Sequence, residues 1–159
     1  MGFVFQQPTL LKTLTVRDNI MLPALRDDRK AAAAIGAKAD ALMRRVGIAE
    51  LAGRDITKAS GGQLQRAGIC RALMNDPDVI FGDEPTGALN SAAADGIMDI
   101  FSEIHAAGTA VVIVTHDARV AARAGRVLFM RDGRIESELA LTGGGADLPA
   151  RVERVTARM

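Results

Sequence analysis

Ser60-Gly61-Gly62-Gln63, a helical run to about Asn75, then Val79-Ile80-Phe81-Gly82-Asp83-Glu84-Pro85: this stretch decides the fold. In order it is a glycine turn, a helix, a short apolar strand, two adjacent carboxylates and a breaking proline. Val79 to Phe81 suits a strand buried on both faces of a parallel sheet. Asp83 and Glu84 follow at its C-terminal end, where open α/β sheets take their ligands. Adjacent residues on an extended chain point in opposite directions. One carboxylate can therefore hold Mg²⁺ while the other faces a water. The same pair also reads as solvated acids in a turn.

The glycine turn leaves backbone N–H groups uncovered by side chains. The helix after it starts with unpaired N–H groups and the positive end of its dipole, which together attract an anion. Ser60 adds a hydroxyl and Gln63 an amide. A plain helix start reads the same way from this fragment alone.

The flanks carry more. Ala59-Ser60-Gly61-Gly62-Gln63, with Gln65-Arg66 and Arg71-Ala72-Leu73, resembles the signature motif of ABC-transporter ATPases. Phe81 to Gly87 resembles their Walker B strand, and Gly87-Ala88-Leu89-Asn90 the D-loop. Val114-Thr115-His116-Asp117 resembles the switch histidine, and Gly2-Phe3-Val4-Phe5-Gln6-Gln7 the Q-loop. The motifs stand in family order. Phe-Val-Phe-Gln-Gln, Leu-Thr-Val-Arg-Asp-Asn-Ile and Glu-Pro-Thr-Gly-Ala-Leu are most similar to the branch serving macrolide-efflux and lipoprotein-release permeases.

The resemblance implies an α/β fold of the P-loop NTPase type, present in part. Its pieces are parallel central strands with helices, a helical signature subdomain over about 15–75 and a C-terminal β-hairpin. The cassette portion is expected over 1–142, with a flexible or helical tail over 143–159. The resemblance also implies ATP and Mg²⁺ as cofactors. Asp83 and Gln6 would hold the metal, Glu84 would act as general base, and His116 would sense the γ-phosphate. Ser60, Gly61, Gly62 and Gln63 would bind the nucleotide held by a second ATPase subunit in a head-to-tail dimer. Asn90 would lie at that shared site. A membrane permease is the implied partner, contacted through the Gln6 loop and the helical subdomain. The expected location is therefore cytoplasmic, on the inner face of the cell membrane.

Composition agrees with a soluble-type domain. At 159 residues, 48% hydrophobic and 25% charged, the chain is long enough for one domain with a sizeable core. A net charge of +1 gives no bulk attraction to nucleic acid. No apolar run approaches the roughly 20 residues that span a bilayer, and no leader pattern is visible. The single cysteine, Cys70, has no partner for an internal disulfide and reads as core.

Along the chain, residues 3–5 read as a strand end and 17–22 as a short helix stopped by Pro23. Asp27 is a candidate cap for a helix to about Val46, with Ile35, Ala39, Leu42, Met43 and Val46 as its apolar stripe and Gly47 as its end. Ser91 is expected to cap a helix with Ile97, Ile100, Phe101 and Ile104 facing the core, ended by Gly108. Residues 110–114 are apolar and mostly β-branched, predicting another central strand. Asp132-Gly133 between Arg126–Met130 and Ile135–Leu139 is a hairpin signal. Gly143-Gly144-Gly145 is expected to open a flexible tail whose Arg151, Arg154 and Arg158 suit either a solvated helix or an anionic membrane surface.

The sequence departs from the family in three ways. It contains no Gly-x-x-x-x-Gly-Lys-Ser/Thr, and none of Lys12, Lys30, Lys38 or Lys58 follows a glycine. The chain therefore reads as N-terminally truncated relative to the family, with ATP hydrolysis by this chain alone not expected and an apolar sheet edge or face left uncovered. Ala59 stands where leucine is usual, and Asn90 where aspartate is usual. A non-enzymatic partner docking on an intact ATPase or permease is the alternative reading. A DNA-repair ATPase of the same family is disfavoured, because no sustained heptads are present.

Overall fold

The computed structural model describes residues 1–25, 29–141 and 147–159, with residues 29 and 30 described by backbone only. In chain order the elements are β1 (Gly2–Phe5), α1 (Val16–Met21), α2 (Arg29–Arg45), α3 (Gly61–Leu73), β2 (Val79–Asp83), α4 (Ser91–Ala106), β3 (Ala110–Val114), α5 (Ala118–Ala121), β4 (Arg126–Arg131), β5 (Arg134–Ala140) and α6 (Leu148–Thr156). They fall into two units, Met1–Val114 and Thr115–Met159.

In the first unit a parallel sheet runs in the order β1-β2-β3. Residues 3–5 lie in β1 as the sequence predicts. α3 packs against β1 and α4 against β3. Gly2, Val4, Ile80 and Gly82 are buried, and Ile80 is wholly enclosed. The opposite face presents Phe3, Phe5, Val112 and Val114, which are 51%, 43%, 45% and 62% exposed. Phe3 stacks on Phe81 with centroids 5.5 Å apart and on Phe5 at 6.3 Å.

Two expectations are corrected here. β2 is buried on one face only, Val79 and Phe81 being half-buried. Among the described residues β3 pairs with β2 alone, so it is an outer strand of the sheet and not a central one, and it alternates between half-buried and exposed residues. Among the described residues the helices cover one face of the sheet, and apolar β-branched sequence shows only that a strand suits burial.

The helices follow their sequence signals closely. Thr15 caps α1, its hydroxyl accepting from the Asp18 amide, and Pro23 falls in a single 3₁₀ turn that ends the segment. The Asp27 cap proposed for α2 lies outside the described residues. Ala39, Met43 and Val46 are buried, Ile35 and Leu42 half-buried, and Gly47 closes the helix at φ +73°. Arg17 on α1 makes a two-point ion pair with Asp40 on α2, at 2.6 and 3.0 Å. The cap of α4 is Asn90, not Ser91: the Asn90 backbone is extended and its Oδ1 accepts from the Ala93 amide at 2.9 Å. Asparagine outranks the following serine here because it occupies the last non-helical position. Ile97, Ile100, Phe101 and Ile104 are buried as the stripe predicts. His105 is exposed.

In the second unit β4 and β5 form an antiparallel hairpin whose Asp132 and Gly133 both have positive φ, the backbone a two-residue turn of the favoured hand requires. α5 and α6 accompany it. Ala122, Leu139, Leu141 and Val155 form the core. The arginines of α6 act within this unit. Arg151, Arg154 and Arg158 donate to the carbonyls of Ala124, Ala140 and Glu138 at 2.5, 3.1 and 3.0 Å. The expected glycine-rich start of the tail, 143–145, lies outside the described residues.

Candidate active site

The carboxylates sit where the sheet ends. Register pairs Phe5 with Asp83, so Gln6 and Glu84 emerge side by side from the ends of β1 and β2. Glu84 is anchored by its amide, which donates to the Val114 carbonyl at 2.9 Å. Its φ is +45°, a left-handed conformation that costs a non-glycine residue about 1 kcal/mol. The next residues hold it there. Pro85 and Thr86 are buried, and the Gly87 amide donates back to the Glu84 carbonyl at 3.0 Å. Strain retained at a carboxylate on a strand end is typical of a working site.

Gln6 reaches over this turn. A Cβ placed on Gly87 would come within 2.9 Å of Gln6 Nε2, so the missing side chain is what makes room for the amide. Gln6 and Asp83 are exposed, and Glu84 is half-buried. By strand alternation Asp83 shares the uncovered face with Phe3 and Phe81.

The donor chemistry here suits Mg²⁺ accompanied by phosphates. Among the described residues no group of three or more His, Cys, Asp or Glu converges into a metal cage. Asp83 and the Gln6 amide are two oxygen donors. Magnesium keeps several waters and takes its remaining ligands from one or two carboxylates and substrate phosphates.

The glycine turn is built by a capping box. Ser60 Oγ accepts from the Gln63 amide at 3.3 Å, and Gln63 Oε1 accepts from the Ser60 amide at 2.9 Å. These two side chains thus satisfy each other's backbone, while the helical ladder leaves the Gly61 and Gly62 amides without intrahelical acceptors. α3 starts at Gly61 and ends at Leu73, two residues before the expected end. The turn rests on Leu89 and the start of α4: Cβ positions at Gly61 and Gly62 would lie 3.5 Å from Leu89 and 3.4 Å from Ala93. Ser60–Gln63 and Asn90 therefore form one corner of the first unit.

His116 is described with the second unit. It is exposed and precedes Asp117, which caps α5 by accepting from the Arg119 amide at 2.7 Å. Cys70 is fully enclosed, and burial pushes its thiol up to about 12, so it is inert packing.

Two residues next to this site were read from the sequence only as part of the signature-motif resemblance, with no role of their own. Gln65 is 1% exposed, and its Nε2 donates to the Phe5 carbonyl at 2.9 Å. Arg71 donates to the Thr9 carbonyl at 2.6 Å and to its hydroxyl at 3.3 Å. Polar residues at helical spacing with the apolar ones were the available signal.

The family model described as ABC transporter matches residues 1–87. The macrolide export ATP-binding/permease protein MacB of Neisseria meningitidis serogroup A is 44% identical over 149 residues, which are 94% of this chain and 22% of that protein. The MacB of Rhodopseudomonas palustris is 44% identical over 144 residues, 87% of this chain and 21% of that protein. The chain thus spans about a fifth of the length of these relatives. Among solved structures, the dimeric post-hydrolysis ATP-binding cassette MJ0796 bound to ADP and Pi superposes with a TM-score of 0.77 at 35% identity, covering 89% of this chain and 63% of that one. cbiO1 of Clostridium perfringens, part of the cbiONQ transporter complex, superposes at 0.80 with 25% identity, covering 99% of this chain and 59% of that one.

Proposed function

This chain belongs to the ABC transporter family, and on that premise we propose that it is part of an ATP-hydrolysing subunit that drives a membrane permease of the macrolide-export type. The observation that carries the reading is the shared strand end: Gln6, Asp83 and Glu84 stand together where β1 and β2 stop, beside a strained turn.

In the proposed mechanism Glu84 accepts a proton from the water that attacks the γ-phosphate. Asp83 and Gln6 would hold Mg²⁺, which would offset the charge of the phosphate oxygens. Gln6 also orients the water, and His116 contacts the γ-phosphate. Gly61 and Gly62 amides, with Ser60 and Gln63, grip the nucleotide of a second subunit arranged head to tail. Asn90 lies at that subunit boundary. The permease is engaged through the Gln6 loop and the helices of 15–75, which would keep the subunit on the cytoplasmic face of the membrane. Among the described residues no helix is long and apolar enough to cross a membrane.

The 159 residues hold no phosphate-loop motif, so we assign hydrolysis to an assembly that supplies one and expect none from this chain alone. ATP turnover by the permease assembly is expected to fall about 10²–10⁴-fold in Glu84→Gln, the usual contribution of a positioned base. Turnover by the isolated 159-residue chain, abolished by the same substitution, would overturn the assignment to an assembly. The missing motif also favours a second reading, in which the chain lends its glycine turn to an intact ATPase without hydrolysing ATP itself. Co-purification with a complete ATPase, with turnover indifferent to Glu84→Gln in this chain, would select it.

A further inference from the structure

One face of α3 is fitted to the segment that carries Gln6. Gln65 Nε2 donates to the carbonyl of Phe5, the residue immediately before Gln6. Six residues further along, Arg71 holds Thr9 by its carbonyl and hydroxyl. Between these grips Pro8 lies on Gly68, where a Cβ would stand 3.3 Å from the proline Cβ. Gly2, at the start of β1, is pressed as closely on Ala72, its Cβ position lying 2.7 Å from the Ala72 carbonyl oxygen. Positions 65, 68 and 72 recur at helical spacing, so one stripe of α3 meets the segment along its length. Gln65 is 1% exposed, and a buried amide committed to one carbonyl is costly to leave unpaired. The Gln6 and Gln7 side chains between the grips are exposed.

We propose that Gln65 and Arg71 are positioning residues that strap the Gln6 loop to α3 at both ends. The helix that opens with the Ser60–Gln63 turn thereby sets where the Gln6 amide stands. A ligand drawing on the glycine turn and one drawing on Gln6 would then be served by a single rigid element. The catalytic consequence rests on the function proposed above; the strap itself does not.

Amide hydrogen exchange of the 159-residue chain tests it. Gln65→Met and Arg71→Met each remove the donor and keep the length of the side chain. Each is expected to speed exchange across residues 6–10 about tenfold, the loss of roughly one net hydrogen bond, with residues 97–104 of α4 unchanged. Arg71→Lys keeps one donor and is expected to restore most of the protection. Unchanged exchange at 6–10 in both methionine variants, or an equal rise throughout α4, would overturn the strap. In the ATP-hydrolysing assembly the methionine variants are expected to lower kcat while leaving KM for ATP in place. Wild-type kcat in both would overturn the positioning role. An assembly with no turnover even in the wild type would count against the proposed function alone, because the exchange result decides the strap by itself.

Discussion

The two faces of the three-stranded sheet are made from similar apolar residues and have opposite fates. One carries Val4, Ile80 and Gly82 beneath helices; the other carries Phe3, Phe5, Val112 and Val114 in the open, with Phe81 half-buried among them. On the open face the rings cover one another by stacking, which hides part of their area without excluding water from the rest. The contrast teaches that apolar sequence states a demand for cover, while only the neighbouring elements show whether the demand is met. It also places Asp83, at the end of β2, on the uncovered side.

The largest effect should separate adjacent residues of β2. Ile80→Ala is expected to lower the unfolding free energy by about 3 kcal/mol, because its enclosed site cannot collapse around the void. Phe81→Ala should cost less than about 1.5 kcal/mol, mainly its aromatic contacts. Urea denaturation of both variants checks the contrast, and equal losses would break it. The next effect concerns association. Replacing Phe3 and Phe5 together by serine should weaken self-association at least about tenfold by removing exposed apolar area, as read by sedimentation velocity. A protein that associates as before would mean the open face is not what brings copies together.

A smaller change acts through the covering helix. Asn90→Ala removes the cap of α4 and is expected to cost about 1 kcal/mol, read from the same urea curves; Asn90→Asp should restore it. The smallest lies away from both faces. The Arg17 guanidinium holds the Asp40 carboxyl below its ordinary value of 3.8, chiefly by direct hydrogen bonding. Because the folded value is the lower one, the pair's contribution is present above pH 3.8 and lost as pH falls through the folded value. The pair is more than one-third exposed on both sides, so Arg17→Met should cost only about 0.5 kcal/mol near neutrality. That difference should vanish in acid unfolding below the folded value.

The hairpin and the main helices were legible because their signals are local. Asp132-Gly133 dictates a turn, the Gly61-Gly62 turn marks a helix start, and the 97–104 stripe has one way to face a core. The motifs from Gln6 to Asn90 were legible as a family resemblance, and the geometry joins Gln6 to the carboxylate turn through Gly87. Illegible were the short α5, the shift of the α4 cap from Ser91 to Asn90, and the destinations of the α6 arginines. Each depends on which carbonyl or backbone angle arrives nearby, and side-chain type alone does not encode that.

By itself the amino-acid order determined the alternation of strand and helix, the carboxylates at a strand end and the glycine turn at a helix start. Those follow from backbone preferences and periodicity, which act over a few residues. Tertiary structure alone decided that β3 is an outer strand among the described residues, which face of the sheet is the bare one, and that Gln65 and Arg71 reach back sixty-odd positions to hold the Gln6 loop. Burial and long-range hydrogen bonding are properties of what lies alongside in space, and pairings over that separation leave no periodic trace in the chain.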